Sequence, residues 1–183
     1  MIDPTQARRV RMLALDVDGV LTDNGIYVGP VAGERIELKR FDIQDGLALG
    51  LLRGGPIEVA WVSGRVSEAT ALRAKELRIS TLIQDQGARK VPAMSRVLSD
   101  KGLDWDEVAY VGDDLADLPV MERVGLPIAV SNAVDEVKAV AHRVTSRAGG
   151  QGAVREVVET LLKARGEWAP ALARYRASRE TAT

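Results

Sequence analysis

The sequence has no cysteine, a single histidine and no apolar run long enough to span a bilayer. The absence of cysteine excludes disulfide bonds, thiolate catalysis and cysteine-ligated zinc. Because His142 is the only histidine, a histidine-cluster metal site is excluded and Ser-His-Asp catalysis is disfavoured. If the chain is an enzyme, carboxylates and lysine must therefore supply its reactive groups.

Neither sign of charge is in excess. The 25 Lys and Arg residues nearly balance the 26 Asp and Glu residues, which gives a net charge of -1. This balance predicts neither nucleic acid nor a membrane surface as a partner. The N-terminus shows no signal-peptide pattern, so we expect the cytoplasm as the location. We also expect one domain spanning residues 1–183, because no repeat or linker-like stretch interrupts the chain.

Short apolar runs alternate along the chain with segments of helical pattern. Such alternation is typical of α/β proteins in which helices connect parallel strands. The sequence therefore predicts a doubly wound, Rossmann-like parallel sheet. The helix before the second strand is expected to begin at Asp45-Gly46. The predicted strands are Val10–Val17, Glu58–Val62, Thr81–Ile83, Val108–Val111, Leu126–Val130 and Arg143–Thr145.

A β-hairpin is predicted directly after the first strand. Two β-like runs, Ile26–Val28 and Arg35–Phe41, are separated there by glycine and proline. We expect this flap, about residues 24–41, to project from the sheet. The other connections are too short for a cap domain, so the flap or a neighbouring subunit is the available lid. The Arg- and Ala-rich segment 166–183 is expected to be a tail or a loosely docked helix.

Acidic residues follow two of the predicted strands at the point where each strand ends. Asp16 and Asp18 follow the first strand, and Asp113 and Asp114 follow the fourth, with Asp117 three residues later. Because the carboxyl ends of parallel strands meet at one edge of a sheet, we expect these acids to lie close together. A pair of aspartates alone is equally consistent with a turn that caps the next segment.

Two further polar residues favour phosphoryl transfer over a simple turn. Ser63 ends the second strand, and Lys90 follows the third. A phosphate monoester repels an anionic nucleophile, so its hydrolysis requires positioning and charge neutralisation. Mg²⁺ held by one or two carboxylates can supply positive charge on one side of the phosphate, and Lys90 on the other. Ser63 can donate a hydrogen bond to a phosphoryl oxygen.

Each acid can be given a separate role. Asp16 is the better nucleophile because it lies nearest the rigid strand end, and Asp18 can act as general acid and then as general base. Asp113 is the expected direct ligand of Mg²⁺, with Asp114 acting directly or through water. Asp117 is expected to orient the lysine or the waters of the metal.

Four motifs in this order resemble the haloacid dehalogenase superfamily of aspartyl-phosphate phosphatases: DVDGVLTD, a strand ending in SG, a lysine and GDDLADLP. Six stretches are similar to its capless family of 3-deoxy-D-manno-octulosonate 8-phosphate phosphatases: TDNGIYV, FDIQDGLAL, SGR, VAYVGDDLADLPVMERVGL, IAVSNA and AGGQGAVREV. The resemblance covers about residues 11–162. It implies a HAD-like fold and Mg²⁺-dependent hydrolysis of a phosphosugar acid through an aspartyl-phosphate, in lipopolysaccharide precursor synthesis.

The resemblance also implies ligands and partners. Mg²⁺ is bound by Asp16, the backbone carbonyl of Asp18 and Asp113. Members of the family form homotetramers whose flaps pack together and whose C-terminal segment approaches a neighbour's site, and the resemblance implies the same assembly here. Arg65 and Arg73, eight residues apart in the predicted helix after Ser63, can meet a sugar-acid carboxylate. The residues implied to contact the substrate are Asp18, Asp42, Ile43, Gln44, Asp45, Gly46, Arg65, Arg73 and Lys90.

Two residues depart from the pattern of this family. Asn24 stands where glycine is usual, and Gly50 stands where an arginine is expected. Gly50 removes a cation that is expected to face the substrate, so nine-carbon keto-acid phosphates are alternative substrates. A signalling receiver domain combines similar residues, but its acids precede its lysine, whereas Asp113 and Asp114 follow Lys90 in this chain. A non-catalytic oligomerisation module of the same fold is disfavoured by the intact acids.

Overall fold

The computed structural model describes residues 2–180, in which six parallel strands form one sheet flanked by helices. Two further strands form a separate antiparallel hairpin. The predicted α/β class is therefore confirmed. In chain order the elements are α1 (Pro4–Arg9), β1 (Met12–Leu15), β2 (Tyr27–Val31), β3 (Glu34–Leu38), α2 (Ile43–Leu51), β4 (Glu58–Ser63), α3 (Glu68–Glu76), β5 (Thr81–Gln84), α4 (Lys90–Lys101), β6 (Val108–Gly112), α5 (Leu118–Met121), β7 (Leu126–Ala129), α6 (Asp135–Val140), β8 (Arg143–Val144), α7 (Ala153–Arg165) and α8 (Trp168–Glu180).

Strand β1 lies inside the sheet, whose order is β5-β4-β1-β6-β7-β8. Its four residues are fully buried, as expected for a parallel strand covered on both faces. From β1 the chain adds β4 and β5 on one side of the sheet and then β6, β7 and β8 on the other. The switch point between β1 and β6 is where doubly wound sheets bind ligands. The Asp16 amide donates to the Val111 carbonyl oxygen there (3.0 Å), so these two strand ends converge as predicted.

The predicted start of the second helix is wrong by two residues. Helix α2 begins at Ile43 because the Asp42 carboxylate accepts a hydrogen bond from the backbone N–H of Gln44 (2.7 Å) and caps the helix. Asp45 consequently lies in the first turn of α2, where it is buried.

The predicted helical position of Arg65 is also wrong. The Ser67 hydroxyl caps α3 by accepting from the N–H of Thr70 (3.3 Å), and the helix begins at Glu68. Arg65 therefore belongs to the loop after β4, and only Arg73 lies on α3.

Strands β2 and β3 form the predicted flap, with Tyr27 opposite Leu38. Both residues of the turn Ala32–Gly33 have positive φ (52° and 86°), as in the type I′ turns that match the twist of a hairpin. An antiparallel bridge between Thr22 and Phe41 ties the base of the flap to the loop after β1. Within residues 2–180, no cap domain accompanies this flap.

Most of the predicted C-terminal tail is helix α8. It packs against α2 and α7, and its Ala171 is fully buried. The guanidinium of Arg155 on α7 lies 5.5 Å from the centre of the Trp168 ring. Residues 181–183 of that tail lie outside the described residues. No helix within residues 2–180 is long and apolar enough to cross a membrane.

Asn24 has a left-handed backbone, with a φ of 67°. Glycine adopts this conformation freely, and asparagine tolerates it better than most residues do. We expect Asn24→Gly to keep the free energy of unfolding within about 0.5 kcal/mol of the wild type, and Asn24→Val to lower it by about 1–2 kcal/mol. Urea unfolding measures both changes. Equal stability of the two variants would contradict this explanation.

Candidate active site

Two glycines allow other parts of the chain to approach the loop after β1 closely. Gly19 has a φ of 92°, and a Cβ at this position would lie 1.9 Å from Oδ2 of Asp113. A Cβ at Gly149 would lie 1.7 Å from the carbonyl oxygen of Gly19. A side chain at either position would force these segments apart. The approach of Asp113 to the loop after β1 therefore depends on Gly19, and the packing of the segment before α7 against that loop depends on Gly149.

Lys90, the first residue of α4, reaches between two carboxylates. Its Nζ lies 2.7 Å from Oδ1 of Asp16 and 2.7 Å from Oδ1 of Asp117, and 4% of its side chain is exposed. Burial alone lowers the pKa of Lys90, but the two carboxylates outweigh it and raise that pKa above its ordinary value. Lys90 is therefore a charged group fixed beside Asp16.

Asp117 is saturated with hydrogen-bond donors. Its Oδ1 accepts from Lys90 and from the Tyr110 hydroxyl (2.7 Å), and its Oδ2 accepts from the N–H groups of Asp113 (2.9 Å) and Asp114 (3.2 Å). Burial, and next the charge of Asp117, raise the pKa of Tyr110 well above 10, so the phenol remains a donor. These contacts suit an orienting role for Asp117.

Three buried carboxylates can hold a hard cation. Oxygens of Asp16, Asp113 and Asp117 lie within 4.8 Å of one another, and Oδ1 of Asp113 is buried without a hydrogen-bond partner in the described part of the chain. Burial and then the charge of Asp117 raise the pKa of Asp16; burial and then the charge of Asp16 raise the pKa of Asp113. A dehydrated, crowded carboxylate cluster with an unpartnered oxygen fits a divalent cation such as Mg²⁺.

Ser63 and Asp114 contribute differently from these acids. Ser63 ends β4 at the same edge of the sheet, where its hydroxyl donates to the carbonyl of Arg65 (3.0 Å) and accepts from the N–H of that residue (3.1 Å). Asp114 is exposed, and its Oδ1 accepts from the N–H of Leu115 (2.7 Å). The structure therefore does not bring the Asp114 carboxylate into the acid cluster.

Asp18 lies between two cations. Nζ of Lys39 is 2.7 Å from its Oδ1, and Nη1 of Arg65 is 3.9 Å from its Oδ2. Glu37 in turn accepts from Nη2 of Arg65 (3.0 Å) and from the Ser67 hydroxyl (2.7 Å). Burial opposes ionisation of Glu37, but these donors and the charge of Lys39 lower its pKa overall. One flap residue, Lys39, thus contacts the acid expected to move the proton, and a second, Glu37, contacts both cations beside that acid.

The first residues of α2 are accessible to a ligand. Asp42 caps the helix, Ile43 is 74% exposed, and Gln44 is exposed with its Oε1 accepting from Arg147 (3.2 Å). The family resemblance implies that these three residues contact the substrate, and their positions at the start of α2 are compatible with that role.

Arg73 approaches the same end of α2 from α3. Its guanidinium lies 6.0 Å from the centre of the Phe41 ring and pairs with Glu76 (2.8 Å). A Cβ at Gly46 would lie 2.6 Å from its Nη2. Arg73 is therefore brought to Gly46, whereas Arg65 contacts Asp18.

The glycine-rich segment before α7 packs against the loop after β1 of the same chain. The Asn132 side chain joins the two segments by donating to the carbonyl of Gly19 (3.3 Å) and accepting from the N–H of Gly149 (2.7 Å). The N–H of Gly150 donates to the carbonyl of Val20 (3.0 Å). This segment supports the candidate site from outside the sheet.

Sequence reasoning missed three polar residues near the site, and each carried a readable signal. Glu37 and Lys39 alternate with Ile36 and Leu38 around the end of β3, which places the two charges on one face. Asn132 comes shortly after β7, at the edge where the other functional strand ends lie.

Comparisons with known proteins agree with this geometry. Residues 66–157 match the family model of haloacid dehalogenase-like hydrolases. The 3-deoxy-D-manno-octulosonate 8-phosphate phosphatase KdsC of Salmonella typhi is 45% identical over 163 residues, which cover 89% of this chain and 85% of that protein.

Solved structures with the same fold include two phosphatases of this type. The enzyme from Moraxella catarrhalis, in complex with magnesium, phosphate and KDO, has a TM-score of 0.87 and 38% identity, covering 94% of this chain and 97% of its own. The cobalt-bound deoxy-D-mannose-octulosonate 8-phosphate phosphatase from Haemophilus influenzae has a TM-score of 0.82 and 32% identity, covering 92% and 99%.

Asp45 joins α2 to α7. Its carboxylate is 1% exposed and accepts from the N–H groups of Arg155 (2.7 Å) and Gly152 (3.3 Å) at the start of α7. Burial raises its pKa from 3.8 to about 6, against the opposing effect of the Arg155 amide. The folded protein therefore binds this proton more tightly than the unfolded chain does.

This shift predicts a pH dependence of stability. Between about pH 4 and pH 6, ionisation of Asp45 should lower the wild-type free energy of unfolding by roughly 3 kcal/mol relative to Asp45→Asn, at 1.36 kcal/mol per pKa unit. Urea unfolding at a series of pH values measures the difference, with Asp100→Asn on the exposed end of α4 as control. A difference between wild type and Asp45→Asn that does not change with pH would refute the assignment.

Proposed function

Because the chain belongs to the 3-deoxy-D-manno-octulosonate 8-phosphate phosphatase family of haloacid dehalogenase-like hydrolases, we propose that it hydrolyses that phosphosugar acid to the free sugar acid and inorganic phosphate. The reaction serves lipopolysaccharide precursor synthesis in the cytoplasm, and residues 1–183 act as one domain. The observation that carries the proposal is the buried contact of Lys90 with Asp16 beside the unpartnered oxygen of Asp113.

The acid cluster supports Mg²⁺ as the cofactor. Asp16, Asp113 and the backbone carbonyl of Asp18 would hold the ion, whereas Asp114, whose carboxylate lies outside the acid cluster, would act only through water. When bound, Mg²⁺ supplies positive charge to the phosphate oxygens. Lys90 supplies a second positive charge from the protein itself, and Asp117 orients it through their 2.7 Å contact.

The first chemical step transfers the phosphoryl group to the protein. A carboxylate oxygen of Asp16 attacks phosphorus, and the bond between phosphorus and the sugar oxygen breaks. Asp18 donates a proton to the departing oxygen, which leaves as the alcohol. Ser63 would donate a hydrogen bond to a phosphoryl oxygen from the neighbouring strand end by turning its hydroxyl away from the carbonyl of Arg65.

The second step releases inorganic phosphate. Asp18, now ionised, accepts a proton from water as the water oxygen attacks phosphorus. The bond between phosphorus and Asp16 breaks, which restores both carboxyl groups. Asp18 must therefore exchange a proton twice per turnover, and its carboxyl group must face the same oxygen position in both steps.

Recognition of the sugar acid is proposed to involve cations and the start of α2. Arg65, 40% exposed beside Asp18, and Arg73, above Phe41, are the guanidinium groups suited to a carboxylate. Asp42–Gly46 and Lys90 complete the proposed contact set. Asp45 differs from the others because its carboxylate is occupied at the start of α7, so its contribution is to hold α2 in place.

The outer face of the flap supports a homotetramer. Tyr27, Val31 and Leu38 share one face of the hairpin and are 64%, 55% and 57% exposed. An exposed apolar face on a projecting hairpin is suited to packing against the same face of another copy. Flap contacts would also exclude water from an active site that has no cap domain.

The catalytic proposal is tested by phosphate release from a panel of phosphomonoesters. We expect the highest kcat/KM for 3-deoxy-D-manno-octulosonate 8-phosphate, loss of activity with EDTA and recovery with Mg²⁺. Asp16→Asn should lower kcat by more than about 1,000-fold without unfolding the protein, because the attacking oxygen is lost. Asp100→Asn is the matched control. Preference for a nine-carbon keto-acid phosphate would replace the proposed substrate, and full activity of Asp16→Asn would exclude the mechanism.

The assembly is tested by light scattering after size-exclusion chromatography. The wild type should have the mass of four chains, and the double variant Tyr27→Glu with Leu38→Glu should have a lower mass because charges then occupy the apolar face. Val144→Glu, on the edge strand β8 of the six-stranded sheet, should remain tetrameric. A monomeric wild type, or a tetrameric double variant, would be evidence against flap packing.

A further inference from the structure

Lys39 is a buried lysine that belongs to the flap and lies outside the acid cluster. Its side chain has no exposed surface. Its Nζ lies 2.7 Å from Oδ1 of Asp18, 3.2 Å from Oγ1 of Thr70 and 3.6 Å from Oε1 of Glu37. Burial of an ammonium group is costly unless it is paired, and these contacts pair the ammonium group of Lys39. Pairing alone does not explain why the flap carries a lysine at this position.

The two oxygens of Asp18 have different neighbours. Lys39 contacts Oδ1, whereas the one cation paired with Oδ2 among residues 2–180 is the Arg65 guanidinium, at 3.9 Å. The Arg65 side chain is 40% exposed, so it can move toward a ligand, but Lys39 cannot. We propose that Lys39 is a positioning residue, which holds Oδ1 of Asp18 from the flap side and thereby presents Oδ2 to the oxygen of the leaving group.

Stability alone does not account for a lysine at this position. A buried ion pair contributes little net stability, because desolvation of both charges offsets their attraction. In the proposed phosphatase reaction, on which this inference rests, Asp18 must come within about 2.6–3.2 Å of the departing oxygen. A carboxylate free to rotate about its side-chain bonds would meet that requirement only part of the time.

The backbone of Lys39 is also held in place. It lies two residues before Phe41, which bridges to Thr22 at the base of the flap. On the other side, Glu37 is fixed by the Ser67 hydroxyl (2.7 Å) and Arg65 (3.0 Å). The ammonium group is therefore fixed by its own strand end, by α3 and by the loop after β4.

The test compares two leaving groups. An alkyl phosphate needs a proton on its departing oxygen, whereas p-nitrophenyl phosphate releases a stable phenolate, and kcat/KM reports the steps up to that departure. We expect Lys39→Met to lower kcat/KM about 30-fold or more for the phosphosugar acid and about 3-fold or less for p-nitrophenyl phosphate. Lys75→Met, an exposed lysine on α3, is the control and should change neither value.

A double-mutant cycle shows whether Lys39 acts through Asp18. In the Asp18→Asn background, Lys39→Met should cause less than about a 2-fold further loss, because the group that it positions no longer transfers a proton. Equal losses for both leaving groups, or multiplicative losses in the double variant, would overturn the positioning role and indicate a general structural one.

Turnover of p-nitrophenyl phosphate by Lys39→Met confirms that the variant is folded. If it does not fold, Thr70→Val removes only the oxygen 3.2 Å from Nζ, and the same preferential loss on the alkyl phosphate is expected. Unchanged ratios in Thr70→Val would then refute the proposal. If wild type does not cleave the proposed substrate but cleaves glucose 6-phosphate, the comparison is made with that ester, which separates failure of the proposed function from failure of this inference.

Discussion

A shortage of positive charge at the end of β1 is the constraint on which the candidate site depends. Asp16, Asp113 and Asp117 are buried within 4.8 Å of one another, and Lys90 contacts two of them, Asp16 and Asp117. Asp117 is compensated by four donors, so the uncompensated charge is concentrated on the other two acids. Charges at such distances interact strongly where water is excluded. The cluster therefore requires protons or a divalent cation, and a cation is what an incoming phosphate dianion also requires.

The same constraint explains the packing of distant segments. Asp113 can approach the loop after β1 because residue 19 is a glycine, and Gly149 lets the segment before α7 pack against the same loop. Asn132 then links these two segments with both ends of its amide. Asp45 is a second buried carboxylate, and it is stabilised by backbone amides at the start of α7 instead of by a cation. Backbone donors and one lysine together make the buried acids tolerable.

Features that depend on neighbours along the chain could be predicted from the sequence. The apolar runs identified the strands, and the acids at their ends identified the edge of the sheet that carries the candidate site. The different orientations of Asp113 and Asp114 follow from the alternation of side chains at a strand end, a pattern that is visible in the sequence. The start of α2 could not be read locally, because Asp42 and Asp45 are both plausible caps. The amides of α7, more than 100 residues away, draw Asp45 inward and leave Asp42 to cap the helix.

The hairpin register links the two faces of the flap. Because side chains alternate, Glu37 and Lys39 point toward Asp18 only while Tyr27 and Leu38 point outward. A slip of one residue would place Leu38 near the acid and expose Lys39 to solvent. The two-residue turn at Ala32–Gly33 prevents this slip, since its positive φ angles specify one pairing of the strands. The turn at the far end of the flap thus determines both which charge reaches Asp18 and which apolar side chains are presented outside.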